Sequence, residues 1–158
     1  MDYYLDASAL VKRYTTEPGS EWVVEITDPA ADHTIMLSEI TLVEVTAALA
    51  AKQRAPYGFT LAERDRAISR FLQDCAEMFM LLQADRKVID QAVALAKAHR
   101  LRGYDAVQLA TALVTNRDLT EHDHPPLIFI ASDDDLLAAA QVRDIATDNP
   151  LNYLLLSE

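Results

Sequence analysis

The stretch "LIFIASDDDLLAAA", residues 127–140, decides how the chain reads as a fold. Five apolar residues give way to three adjacent aspartates, and an alanine- and leucine-rich segment follows at once. The first part reads as a strand and the last as a helix starting near Asp134. Acids favour helix N-termini as caps and through the macrodipole, and Ser132 and Asp135 have capping-box spacing. Three like charges side by side repel, so a second question is whether other acids stand at equivalent junctions.

The unit recurs upstream. Residues 2–6, "DYYLD", read as a short buried strand, with "ASALVKRY" as the helix after it. Pro18 suits the first turn of a helix through "PGSEWVVEITD". Residues 33–38 read as a second strand leading into the helical "EITLVEVTAALAAKQR". Thr60 and Glu63 make a capping-box pattern before a helix whose apolar face carries Leu61, Ile68, Phe71, Leu72 and Cys75. Residues 78–83 read as a third strand, and Asp85 caps a helix with Val88, Ala92, Leu95 and Ala96 inside. That helix ends among Lys97, His99, Arg100 and Arg102, with Gly103 just past it. "YDAVQLATALVT" opens another helix, residues 115–126 read as a polar surface loop, and "VRDIAT" as a short edge strand. Strands alternating with helices predict an α/β sandwich around a mostly parallel sheet of four to five strands, in one domain spanning residues 1–158. Active sites in such folds collect at the carboxyl ends of the strands.

Composition narrows the chemistry. Only Gly19, Gly58 and Gly103 occur, which removes the phosphate-binding P-loop and the dinucleotide fingerprint, and there is no G-x-S-x-G elbow. The net charge of −11 argues against a nonspecific nucleic-acid coat, but not against an enzyme that reaches phosphates through bound cations. The single cysteine, Cys75, reads as a small core residue that suits a reducing cytoplasm. No signal peptide or membrane-spanning run is apparent.

Asp6, Asp105 and Asp133 each stand at the start of a predicted helix, where a plain N-cap is the simplest role. Glu44 differs. Its neighbours three and four residues away are Ile40, Thr41, Ala47 and Ala48, and Lys52 is two turns distant. A carboxylate on an apolar helix face needs compensation, either from a distant arginine or from a cation shared with other acids. If the sheet is parallel and compact, all four acids can converge. They would then repel one another unless a hard ion such as Mg²⁺ or Mn²⁺ bound them. Such ions activate water for in-line attack on a phosphodiester.

Four segments, "YYLDASALVKRYTTEPGSE", "SEITLVEVTAALA", "LRGYDAVQLATAL" and "FIASDDDLLAAA", together resemble the PIN-domain family, especially its VapC-like toxin ribonucleases. The resemblance implies a three-layer α/β/α sandwich and an acidic Mg²⁺ or Mn²⁺ pocket that cleaves RNA. It also implies a small antitoxin that blocks the pocket and a homodimer built on helices. Carried over by motif, Asp6 matches the first metal-binding aspartate, Glu44 the helix acid, Asp105 the third acid and Asp133 the acid after the fourth strand. Ser8 matches the hydroxyl residue beside the first aspartate. The chain departs from the family pattern at "IASDDD", where Ala131 replaces a frequent threonine, which leaves Asp135 as an outer ligand or a cap. The division of labour expected here gives Asp133 to the metal site and Asp134 and Asp135 mainly to the helix.

His122 and His124 read as part of a solvated loop rather than a zinc site. Arg64, Arg66 and Arg70 read as a solvated helix face, and Tyr3, Tyr4 and Trp22 as packing. Lys97, Arg100 and Arg102 either complement a helix C-terminus or hold RNA phosphates. Two alternatives to the nuclease stand beside it: a PIN-like binding module without catalysis, and a phosphatase. "LDAS" lacks the second aspartate of a D-x-D nucleophile motif, which counts against the latter.

Overall fold

The computed structural model describes residues 1–154. Strands β1 (Asp2–Leu5), β2 (Thr34–Ser38), β3 (Met80–Leu82), β4 (Ile128–Ile130) and β5 (Ala146–Asp148) form a sheet in the order β3-β2-β1-β4-β5, and each pair is parallel. Helices α1 (Ala7–Leu10), α2 (Ser20–Ile26), α3 (Thr41–Arg54), α4 (Leu61–Glu77), α5 (Arg86–Ala98), α6 (Gly103–Glu121) and α7 (Asp134–Val142) cover it. Among the described residues no helix is long and apolar enough to cross a membrane.

The two-residue period of the strands divides the core into two layers. Tyr4 lies opposite Met36 and Phe129, and these three pack with Val88, Leu95, Leu109 and Leu136 of α5, α6 and α7. Leu5 and Ile130, also paired, turn the other way and join Leu10, Val23, Leu49 and Phe71 of α1 to α4. Both faces of β1 and β4 are therefore buried, which is why their sequences are continuously apolar rather than alternating. Full burial of a side chain such as Leu5 contributes roughly 1.5–3 kcal/mol.

The chain builds outward from β1 through β2 to β3, then crosses to β4 on the opposite side of β1. The strand order thus reverses between β1 and β4, and the connections leaving their carboxyl ends diverge there. Open parallel sheets form their ligand crevice at such a point. Asp6 N–H still donates to Ile130 O at 3.1 Å, so the two loops begin side by side.

Several local expectations shift. Gly103 opens α6 instead of terminating α5, and residues 115–121 continue that helix instead of forming a loop. Leu119 packs onto the core, and Asn116 Oδ1 accepts from Leu127 N–H at 3.0 Å, so tertiary contacts carry a polar helix end that has no apolar face of its own. On α4, Leu61 and Leu72 are exposed and Asp74 is buried. Asp74 accepts from Arg13 Nε at 3.1 Å and Tyr14 Oη at 2.7 Å, which compensates its burial, while Ile68, Phe71 and Cys75 pack on the core as expected. Ala96 is exposed as well. The helix expected to include Pro18 begins at Ser20, because Gly19 takes a φ of 85°. The Thr60–Glu63 capping box forms as expected.

At Gly19 a Cβ would lie 2.8 Å from the Pro150 carbonyl oxygen, in a backbone conformation that favours glycine. Gly19→Ala is expected to destabilise the protein by roughly 1–3 kcal/mol in urea titrations. Gly103→Ala, where an added Cβ meets nothing within 4 Å, is expected to be neutral or slightly stabilising. Equal midpoints for both variants would contradict the packing of Pro150 on Gly19.

Candidate active site

Asp6 stands one residue beyond β1 and is only 4% exposed. It is the N-cap of α1, with Oδ1 accepting from Ala9 N–H at 3.0 Å. The Ser8 hydroxyl lies 2.7 and 2.9 Å from its two carboxyl oxygens and accepts from Ser132 N–H at 2.9 Å. Ser8 therefore ties the loop after β1 to the loop after β4. Ser132 Oγ is itself buried and has no hydrogen-bond partner among the described residues.

Glu44 projects from α3, which follows β2. Gln108, fully buried on α6, donates from Nε2 to Glu44 Oε1 at 2.7 Å and to Thr41 Oγ1 at 2.9 Å. Its Oε1 accepts from Tyr4 Oη at 2.7 Å. This Tyr4–Gln108–Glu44 brace joins β1, α6 and α3. The sequence reading assigned Tyr4 to packing and passed over Gln108. The available signal was a long polar side chain within the mostly apolar run of residues 106–114, one turn after Asp105.

Asp105 lies in the first turn of α6, and Asp133 is the N-cap of α7, its Oδ1 accepting from Leu136 N–H at 2.8 Å. Asp105, Asp133 and Asp135 share the wall of a cleft of about 380 Å³ with His99, Arg100 and Arg102. Asp6 and Glu44 are not part of this wall. The expected division within the triple aspartate changes accordingly. Asp133 caps the helix and faces the cleft, Asp135 also faces it, and Asp134 stays in the exposed first turn.

The acids still sense one another in a row. Burial pushes the Asp6 carboxyl up to about 7, opposed by Ser8 and the Ala9 N–H, with the Glu44 charge adding to the rise. Glu44 is raised by burial, opposed by Gln108 and reinforced by Asp105. Asp105 is raised by burial and by Asp133, and lowered by Arg102. Crowding thus contributes to the elevated values, but burial is the larger cause. None of the four acids forms an ion pair among the described residues. Oxygen-only donors without a cation suit a hard divalent ion. No group of three acids, histidines or cysteines forms a ready ligand cage among the described residues. The set therefore fits an ion held by one or two carboxylates and otherwise by water, which is the habit of Mg²⁺.

A PIN-domain family model matches residues 3–142. The chain belongs to the PIN-domain family. Ribonuclease VapC45 of Mycobacterium tuberculosis is 39% identical over 111 residues, which are 70% of this chain and 74% of the relative. The fold is shared with VapBC2 of Rickettsia felis bound to a promoter DNA fragment, at TM-score 0.63 and 14% identity over 94% of this chain and 98% of that one. It is shared as well with a toxin–antitoxin complex from Klebsiella pneumoniae, at TM-score 0.59 and 17% identity over 94% and 97%. Within this PIN domain, a carboxylate has two oxygens, so capping a helix and serving a site are compatible roles for Asp6 and Asp133.

Because the folded Asp6 value lies above the unfolded value of about 4, the folded state holds this proton longer as pH climbs. The associated stability is complete below about pH 4 and is lost as pH rises through about 7. In EDTA, Asp6→Asn is expected to melt at or above wild type at pH 8 and to lose that advantage by pH 4.5. Asparagine can still accept from Ala9 N–H through its carbonyl oxygen. A constant deficit across this pH range would mean that Asp6 serves the fold only as a cap.

Proposed function

We propose that this PIN-domain protein is a Mg²⁺- or Mn²⁺-dependent endoribonuclease and the toxin of a type II toxin–antitoxin pair. The reading is carried by the placement of the acids: Asp6, Glu44 and Asp105 are each raised in part by the charge of the next acid, ending at Asp133, and none of the four forms an ion pair among the described residues. The ribonuclease name of a relative at 39% identity supports RNA as the substrate class. One or two of these four acids would hold the ion directly, with water linking it to the others. When bound, a hard divalent ion lowers the pKa of water and offsets charge on a phosphodiester. Ser8 orients Asp6 and Gln108 orients Glu44, while Tyr4 fixes Gln108 in turn. Hydrolysis of this kind needs no covalent intermediate on the protein.

The wider assembly is proposed from the family resemblance, and the toxin–antitoxin complex of the same fold supports an antitoxin partner. A small antitoxin would occlude the cleft, the toxin would act as a homodimer in the cytoplasm, and residues 1–158 would work as one domain. A PIN-like binding module without catalysis is the second reading, since no three ligating side chains stand together among the described residues. RNA cleavage with Mn²⁺ and with EDTA separates the two.

Asp105→Asn is expected to lower Mn²⁺-dependent RNA cleavage by roughly 100-fold or more and to reduce the Mn²⁺-induced rise in melting temperature. Asp134→Asn, at an exposed residue that does not line the cleft, is expected to stay within about twofold of wild type. Equal losses in the two variants would remove the special role of Asp105. Gln108→Leu is expected to cost roughly 10–100-fold in activity, because Glu44 loses the partner that orients it. Unchanged activity in folded Gln108→Leu would show that the brace serves only the core.

A further inference from the structure

Arg100 and Arg102 lack the local role that helix ends usually give such residues. Helix α5 ends at Ala98 with His99 as its C-cap, and Lys97 alone supplies a basic residue to its last turn. Both arginines lie beyond that helix, outside its last turn. Arg102 is the N-cap of α6, a helix of 19 residues, and its side chain makes no capping hydrogen bond. A cation at the positive end of a helix is unfavourable, and a side-chain acceptor is preferred there.

Their surroundings compensate them only in part, through the attraction between Arg102 and Asp105. Both line the cleft with Asp105, Asp133 and Asp135, yet neither arginine forms an ion pair among the described residues. Arg143, the C-cap of α7, donates from Nε to His99 Nε2 at 3.2 Å, and His99 belongs to the same wall. The α5–α6 connection therefore brings two guanidinium groups into a cleft lined by three carboxylates, and Arg143 is held next to that wall through His99. In a chain of net charge −11, this gathers positive charge directly beside the acids. The N–H groups of the α6 N-terminus add to the same positive field.

We propose that Arg100 and Arg102, with Arg143 held alongside through His99, form a phosphate-binding rim that grips the RNA backbone next to the scissile bond. This rests on the nuclease reading and names how that site takes its substrate. Guanidinium groups suit the task because they present several donors to phosphate oxygens and stay charged throughout the working pH range. The rim positions the strand without reading bases. It also accounts for how an acidic protein approaches a polyanion: acids face the ion, and arginines face the flanking phosphate.

The test is steady-state cleavage of a short single-stranded RNA in Mn²⁺ over a series of KCl concentrations. Wild type, Arg102→Gln, Arg102→Lys and the double variant Arg100→Gln/Arg102→Gln would be compared. The double variant is expected to raise KM roughly tenfold with kcat within about twofold, and to flatten the salt dependence of kcat/KM by about 0.7 per arginine. Arg102→Lys should recover most of the loss, and the Mn²⁺-induced melting shift should match wild type in every variant. A double variant with wild-type KM and salt slope would overturn the proposal. If wild type cleaves no RNA, the nuclease reading fails and labelled single-stranded RNA binding decides the rim instead. Salt-sensitive binding that the double variant loses would support it, and binding that is absent from wild type or unchanged in the variant would overturn it.

Discussion

A carboxylate taken out of water at the end of a central strand must either keep its proton or find positive charge, and Asp6 is placed under that constraint. Protein groups satisfy it only partly. Ala9 N–H and the Ser8 hydroxyl stabilise the charged form, but burial outweighs them and holds the carboxyl near 7. Much of the surrounding geometry follows from those donors. Ser8 must reach both Asp6 and Ser132, which fixes the start of α1 against the loop after β4. A cation would complete what the hydrogen bonds begin.

The sheet order gives this constraint its place. Since the chain reverses direction of growth between β1 and β4, the segments after those strands separate and leave a crevice. Glu44 enters from α3 and Asp105 from α6, and the Tyr4–Gln108–Glu44 brace links the elements that carry them. A buried hydrogen-bonded network of this kind rigidifies its members when every polar group is satisfied. The same stretch of chain that delivers Asp105 also delivers Arg100 and Arg102, so opposite charges meet at one cleft, and Arg102 partly offsets the crowding at Asp105 without forming an ion pair among the described residues.

Much of the architecture was legible in the chain as written. Continuous apolar runs ending in an acid, each followed by a helical pattern, identify buried parallel strands and the edge where a site would form. Asp6, Glu44, Asp105 and Asp133 stood out because a carboxylate at such a position, or on an apolar helix face, calls for an explanation that composition alone does not supply. The Thr60 capping box and the Asp85 cap were legible for a similar reason, since their hydrogen bonds close within four residues.

Tertiary structure decided what depends on partners far away in sequence. The period of α4 itself places Ile68, Phe71 and Cys75 on the core, but Asp74 is buried beside them only because it meets Arg13 and Tyr14, about sixty residues upstream. The polar end of α6 stays helical because Leu119 and Asn116 find the core and β4. Gln108 became a brace only once α6 and α3 lay side by side, and Arg102 lost its helix-end role only when α5 stopped at Ala98. Local pattern by itself determined the elements and the candidate acids, because caps and strand periods act over a few residues. Contacts between elements determined which oxygen, which face and which charge each residue presents, because those depend on packing that the linear order does not contain.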